Sequence, residues 1–313
     1  MKSSTKVVTV FGGSGFVGRY VVSLLAKDGW QVRVPVRDPH HAKFLCPCGD
    51  VGQVVPLVID VFDEEAVSHV IAGSDAVVNL IGILFEGGRQ RFDYLQASLP
   101  GVIGLAAKHA GVRALIQMSA IGADVRSFSA YGRSKAEGEL AAKSSFPGVT
   151  IMRPSIIFGP EDDFFNRFAR MSVISPFLPL IDGGRVKFQP VYVGDVAHAI
   201  LKAVNNPKDY GGSVYELGGP RVLSFRRCLE VMLRQIRRDR LFVSLPMWIA
   251  KVQAFFFGVL PNPPLTLDQL KMLQNDNVVS SHALGVGAFG IDPVDVELIL
   301  PTYLSRYRSG GGK

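Results

Sequence analysis

The run Val7-Val8-Thr9-Val10-Phe11, with Gly12, Gly15 and Gly18 behind it and an apolar helical pattern through Leu24, Leu25 and Ala26, restricts the chain more than any other stretch. A β-branched run without polar interruption suits a parallel strand buried on both faces. The glycines then serve three separate needs. Gly12 permits the tight turn off the strand, Gly15 lets backbone amides approach a pyrophosphate, and Gly18 lets the new helix lie against the sheet. The first helical amides and the positive end of the helix then face an anion. In a chain with 33 glycines the spacing alone says little. The strand before it and the helix after it mark a dinucleotide turn, in which Ser14, Phe16 and Val17 also lie beside the nucleotide.

Strand-like and helix-like segments keep alternating through the first half. That predicts an α/β fold, a doubly wound parallel sheet of the Rossmann type with a smaller, mostly helical C-terminal lobe. Residues 1–160 form the nucleotide-binding part, with returns from 186–220, and 161–313 the smaller substrate or partner lobe. Gln31 to Val36 reads as the second strand and ends at Arg37-Asp38-Pro39. An acidic residue at this tip binds the ribose 2′-hydroxyl in NAD-preferring folds. Here the tip carries Arg37, with Arg33 inside the strand, and a guanidinium suits a 2′-phosphate. NADPH is therefore expected over NADH, against the alternative of a solvated surface arginine.

Val54 to Ile59 is the third strand, with Asp60 and Val61 at its carboxyl end, where an adenine amino group would meet a carboxylate and a backbone amide. Asp60 could equally cap a helix from Glu64. Asp75 to Leu80 is the fourth, and Leu80 and Gly82 bring a loop against the cofactor. A helix from about Phe92 to Ala110 crosses over to the fifth strand, Ala114 to Met118, which delivers Ser119 to the ligand-binding edge. Val149 to Met152 is the sixth, followed by Arg153-Pro154-Ser155, with Pro154 at the cofactor.

Tyr131 and Lys135 are four apart, one above the other on a helix face. A positive charge about 4 Å from a phenol, at an effective dielectric near 20, is worth roughly 4 kcal/mol, enough to draw a tyrosine toward neutrality for proton exchange. Ser119 could hold a substrate oxygen, and the lysine the nicotinamide ribose. Ser119, Tyr131 and Lys135 are thus the candidate catalytic set.

Composition excludes several classes. Hydrophobic content of 48% with 19% charged residues is that of a globular chain. Cys46, Cys48 and Cys228 form neither a disulfide framework nor a zinc site, and no metal set is expected. The first strand begins by about Lys6, leaving no room for a signal or transit peptide, and no run is long enough to span a bilayer. Ser309 to Gly312 reads as a frayed tail.

With Gly12 to Gly18, Ser119, Tyr131 and Lys135 in place, the chain resembles the short-chain dehydrogenase/reductase superfamily, in its extended or atypical branch. Four stretches narrow this. They are Val10 to Val22, Asn79-Leu80-Ile81-Gly82, Ser155-Ile156-Ile157-Phe158-Gly159-Pro160-Glu161-Asp162 and Gln189 to Ala197. They are similar to the NADPH-holding accessory subunits of respiratory complex I and their bacterial relatives, over about residues 5–220. The resemblance implies a tightly held, structural nucleotide and partners in complex I or in ubiquinone biosynthesis. A bacterial, cytoplasmic protein, peripheral on the inner face of the membrane, fits the missing transit peptide. The complete Ser-Tyr-Lys set keeps the alternative open of an active NADPH-dependent oxidoreductase, epimerase or dehydratase.

The second lobe carries the charge. Net charge is +7, and Arg221, Arg226, Arg227, Arg234, Arg237, Arg238 and Arg240 crowd one segment, opposed by Glu230 and Asp239. Pro246 to Phe257 follows with Trp248 and three phenylalanines. Together 221–258 make a candidate membrane surface, or else the aromatics pack inward and the arginines are solvated. Nucleic acid is not expected, since no recognition fold accompanies the charge. Asp162 and Asp163 read as helix-terminus charges and His198 as a surface or packing residue.

Overall fold

The computed structural model describes residues 6–257 and 265–309. The first half contains β1 (Val7–Phe11), α1 (Phe16–Lys27), β2 (Gln31–Val36), β3 (Val54–Val58), α2 (Glu64–Ile71), β4 (Ala76–Asn79), α3 (Leu99–His109), β5 (Ala114–Met118), α4 (Ala130–Ser145) and β6 (Thr150–Pro154). The second contains β7 (Ile157–Phe158), α5 (Phe164–Ile174), β8 (Phe177–Ile181), β9 (Lys187–Phe188), β10 (Val191–Tyr192), α6 (Val193–Asn205), α7 (Pro207–Tyr210) and β11 (Val214–Leu217). It ends with β12 (Leu223–Ser224), α8 (Phe225–Ile236), β13 (Leu241–Leu245), α9 (Met247–Phe257), α10 (Leu267–Met272) and α11 (Val296–Leu304).

Seven strands lie parallel in the order β3-β2-β1-β4-β5-β6-β11. The order reverses between β1 and β4, so the crevice for a ligand opens at the carboxyl ends of those two strands. Both faces of the sheet are covered. Val21, Val22 and Leu25 of α1 pack with Val196, Ile200 and Ala203 of α6 on one side. Val67 and Ile71 of α2, Leu99 and Ile103 of α3 and Ala142 of α4 pack on the other. This burial on both faces explains why the strands read as β-branched runs, not as alternating patterns. A further core gathers Phe158, Phe165, Phe225, Leu229, Met232, Leu300 and Leu304. The C-terminal part is not helical alone: the paired strands β7–β10, β9–β12 and β8–β13 brace it.

Three expected elements differ. The crossover helix does not run unbroken from Phe92. Residues Asp93–Ser98 form a π-helix, and α3 begins at Leu99. Pro100 has no N–H to give the carbonyl of Gln96, so the ordinary ladder cannot continue there. That freed carbonyl instead lies against Gly138 of α4, where an added Cβ would overlap it. Second, β6 runs on to Pro154, so Pro154 sits in the strand and its carbonyl accepts from Ile121 N–H at 3.0 Å. Third, Asp60 does not cap α2. Asp63 does, its Oδ1 accepting from the amides of Glu65 and Ala66 at 3.0 and 3.2 Å. A cap must sit directly before the helix's first residue, and Asp63 does so. The expected tail beyond Ser309 lies outside the described residues.

Candidate functional site

The glycine turn sits at the sheet reversal. Gly12 has φ +72° and a Cβ there would stand 3.1–3.2 Å from the Leu80 and Ile81 backbone, so the turn and the loop after β4 touch directly. Gly18 is tighter, since an added Cβ would fall 2.5 Å from Gly13 Cα and 2.6 Å from Gly13 C. Helix α1 starts from Gly15 with no side-chain cap and no acidic residue in its first turn. Its leading amides and positive end thus carry no side-chain partner; Ser14, Phe16 and Val17 stand in the same turn, half-buried, with Val17 packed partly on the core.

Arg33 and Arg37 separate once the fold is known. The Arg33 guanidinium donates to the carbonyls of Val70 and Ala72 at 3.2 and 2.7 Å, closing the C-terminal end of α2. Arg37 is exposed at the tip of β2, with no hydrogen bond or ion pair among the described residues. Asp60 is held: its carboxylate accepts from Phe62 N–H at 3.1 Å and from Arg89 at 3.1 Å. The Phe62 amide, with Arg89 adding to it, keeps the Asp60 carboxyl below its ordinary range. The Val61 carbonyl accepts from the Tyr94 hydroxyl at 2.9 Å.

Lys135 brings α4 to the carboxyl end of β5, beside Met118 and so next in the chain to Ser119, with Tyr131 one turn earlier on the helix. The Ser119 hydroxyl is buried and has no hydrogen-bond partner among the described residues. Lys135 is buried with its Nζ 3.4 Å from the Met118 carbonyl and 5.8 Å from the centre of the Tyr131 ring. Gly82 earns its place here: a Cβ at 82 would stand 3.1 Å from Lys135 Nζ. Burial pulls the lysine down to about 8, with Glu139 one turn on opposing the shift.

The expected lowering of Tyr131 is overturned. Burial pushes its phenol up to about 12. The ammonium sits over the ring and is directed at a carbonyl, so desolvation outweighs the attraction that the spacing promised. The Tyr131 phenol therefore keeps its proton at neutral pH in this structure.

Several supporting residues were not singled out from sequence. Asp268, from α10, accepts from the Ala130 and Tyr131 amides at 2.7 and 2.9 Å and so caps α4 together with Ser129. Gln96 accepts from Ser134 at 2.9 Å and donates to the Ile83 carbonyl at 2.5 Å, tying α4 to the loop after β4. Arg153 pairs with both Glu139 oxygens at 2.7 Å. Asp268, Gln96 and Arg153 had no local signal for these roles, which depend on contacts between separate segments.

These residues would suit a nicotinamide dinucleotide on the structure's own terms. The uncapped helix end could face a pyrophosphate, and the orphaned Ser119 hydroxyl and buried Lys135 ammonium a ribose or amide.

In the basic segment, Arg221 pairs with Asp295 and Glu297, two carboxylates that sequence proximity did not reveal. Arg226 and Arg227 share Glu230 at 3.0 and 3.1 Å. Asp162 is structural: it accepts from the Gly159 and Asn166 amides and from Tyr303. His198 is exposed and its Nδ1 lies 2.8 Å from the Gly194 carbonyl. No helix among the described residues is long and apolar enough to cross a membrane.

A family model described as NAD(P)H-binding matches residues 12–207. The NADH dehydrogenase [ubiquinone] 1 alpha subcomplex subunit 9, mitochondrial, of Arabidopsis thaliana is 40% identical, over 97% of this chain and 79% of that protein. Its Mus musculus counterpart is 34% identical, over 97% of this chain and 81% of its own. Among solved structures, the NADPH-dependent quinone oxidoreductase of Escherichia coli complexed with NADPH superposes with a TM-score of 0.74 at 19% identity, covering 96% of this chain and 99% of that one. At that identity the likeness speaks for the fold.

Proposed function

Since the chain belongs to the NAD(P)H-binding family, and within it to the family of the ubiquinone-linked NADH dehydrogenase alpha subcomplex subunit 9 proteins, we propose that it holds NADPH as a structural ligand. In this reading it is an accessory or assembly component of respiratory complex I or of ubiquinone metabolism. What supports it is the tight glycine turn and uncapped helix end at Gly12, Gly15 and Gly18, with Arg37 and Lys135 beyond, in a chain similar over 97% of its length to such subunits. Residues 1–160, with returns from 186–220, form the nucleotide-binding part, and 161–313 the partner lobe. Asp60, Val61, Leu80, Gly82 and Pro154 would line the nucleotide between the turn and the Tyr131–Lys135 pair. The protein works on the cytoplasmic side, with 221–258 against a membrane surface. Support for that face is the exposure of Trp248, Phe255 and Phe256.

The alternative is an active NADPH-dependent oxidoreductase, epimerase or dehydratase. A bound nicotinamide nucleotide supplies hydride chemistry; Ser119 would hold the substrate oxygen, Tyr131 exchange the proton and Lys135 orient the ribose. The intact triad favours it, and the raised phenol weighs against it at neutral pH.

Two measurements separate these readings. NADPH should co-purify with the chain and persist when quinones, sugars or ketones are added. Steady NADPH consumption that disappears in Tyr131→Phe would overturn the structural role. Arg37→Ala should weaken NADPH by about tenfold or more, the worth of a charge-assisted hydrogen bond, while leaving NADH nearly unchanged. Equal losses for both nucleotides, in calorimetric titration, would remove the 2′-phosphate from Arg37.

A further inference from the structure

The end of α8 and the strand after it gather four guanidinium groups around one open cleft of about 530 Å³, lined by Arg234, Arg237, Arg238 and Arg240. Phe242 forms its apolar wall, and its carboxylates are Glu230 and Asp239. Glu230 is already claimed by Arg226 and Arg227, so it does little to neutralise the cleft.

The four arginines are not equivalent. Arg238 and Arg240 each donate their Nε to a backbone carbonyl, of Tyr307 at 2.8 Å and of Ser172 at 2.7 Å. These bonds orient two guanidinium planes; Arg240 also donates Nη1 to the Asp239 carbonyl at 2.8 Å, so its Nη2 and both terminal nitrogens of Arg238 are what remain for an anion. Arg234 and Arg237 are exposed, with no hydrogen bond or ion pair from their side chains among the described residues. Arg237 also sits at φ 53° and ψ 48°, the left-handed cap where glycine is the usual residue. A bulky cation thus stands where glycine would be more stable. The negative end of α8 favours a cation in the last turn, but that effect fades within a turn and does not explain four.

On the face of β13 opposite Phe242, apolar surface is turned outward. Leu241 and Val243 are exposed on one face of β13, in register with Phe177 and Pro179 of β8. Helix α9 then buries its small side chains and exposes its large ones. Ala250 and Ala254 pack on Leu270, while Trp248, Val252, Phe255 and Phe256 form a stripe at i, i+4, i+7 and i+8 that is at least half exposed. Residue 258, the end of the expected membrane segment, lies outside the described residues.

We propose that the arginine cleft binds the phosphate of an anionic phospholipid while the α9 stripe lies in the bilayer interface. Resting on the membrane-facing reading above, this names the lipid class and the residues that choose it. Aromatic side chains give such a helix its depth, and arginines give it preference for negative headgroups.

The test uses the full chain with NADPH present and vesicles of phosphatidylcholine, alone or mixed with phosphatidylglycerol. The wild type should bind the mixed vesicles more tightly, and Arg234→Gln with Arg237→Gln should weaken that binding about thirtyfold, from roughly 1 kcal/mol per basic residue. Neutral-vesicle binding and NADPH retention should not change. Arg237→Gly serves as a second variant, since glycine suits the backbone there: it should raise stability and still lose part of the anionic preference. If both variants keep the full preference, the cleft assignment fails while the membrane face stands. Absence of binding to either vesicle, with or without capture by isolated complex I, would overturn the face and the cleft together. Release from mixed vesicles by inorganic phosphate, at matched ionic strength, would assign the cleft to free phosphate and overturn the lipid.

Discussion

Gly18→Ala is expected to abolish nucleotide retention through gel filtration, weakening binding by at least about a hundredfold, or roughly 2.7 kcal/mol. The cause is one methyl group. Its carbon would fall 2.5 Å from Gly13 Cα and against the Gly12 carbonyl, both backbone, so no side-chain rotation relieves the clash. Either α1 lifts from the sheet or the Gly12–Gly15 turn moves, and each displaces the amides that face the pyrophosphate. Overpacking of this kind costs about 1–3 kcal/mol, which a chain of this size can survive folded. Gly87→Ala is the control, because a Cβ there meets nothing within 4 Å. Equal nucleotide retention by Gly18→Ala and Gly87→Ala would mean that the turn does not shape the site.

Lys135→Met is expected to move stability and binding in opposite directions. Burial holds the lysine at about 8 in the folded chain against 10.5 as its ordinary value. Below pH 8 it is charged in both states, and the buried charge destabilises the fold by its full amount, about 3 kcal/mol at 1.36 kcal/mol per unit. Between pH 8 and 10.5 the folded chain has released a proton that the unfolded chain still binds, so wild-type stability rises with pH. Above 10.5 the penalty is gone. Methionine removes the charge at similar volume, and the Met118 carbonyl keeps its 2.9 Å bond from Gln117. Urea unfolding should therefore show the variant more stable by about 3 kcal/mol at pH 7, converging with wild type by pH 10.5. NADPH should be lost from it at every pH. A variant less stable than wild type at pH 7 would show that the ammonium is compensated inside the fold. Stability given up at a binding residue is a common mark of function.

Residue order was sufficient for some of this and not for the rest. The strand–turn–helix at 7–27, the succession of parallel strands and the placing of Ser119 just after β5 and of Tyr131 and Lys135 on α4 follow from local patterns. Apolar period and glycine placement decide which faces of an element are buried and where it turns. Tertiary structure alone decided what required two distant segments to meet. It committed Arg33 to the end of α2 and left Arg37 free, brought Asp268 onto the α4 amides, and seated the Gln96 carbonyl against Gly138. It also reversed the expected direction at Tyr131, because a pKa depends on how much water the surrounding fold removes, and spacing along a helix does not carry that information. The same holds for α9: its composition announced an aromatic helix, but only the packing of Ala250 and Ala254 on Leu270 turned the large rings outward.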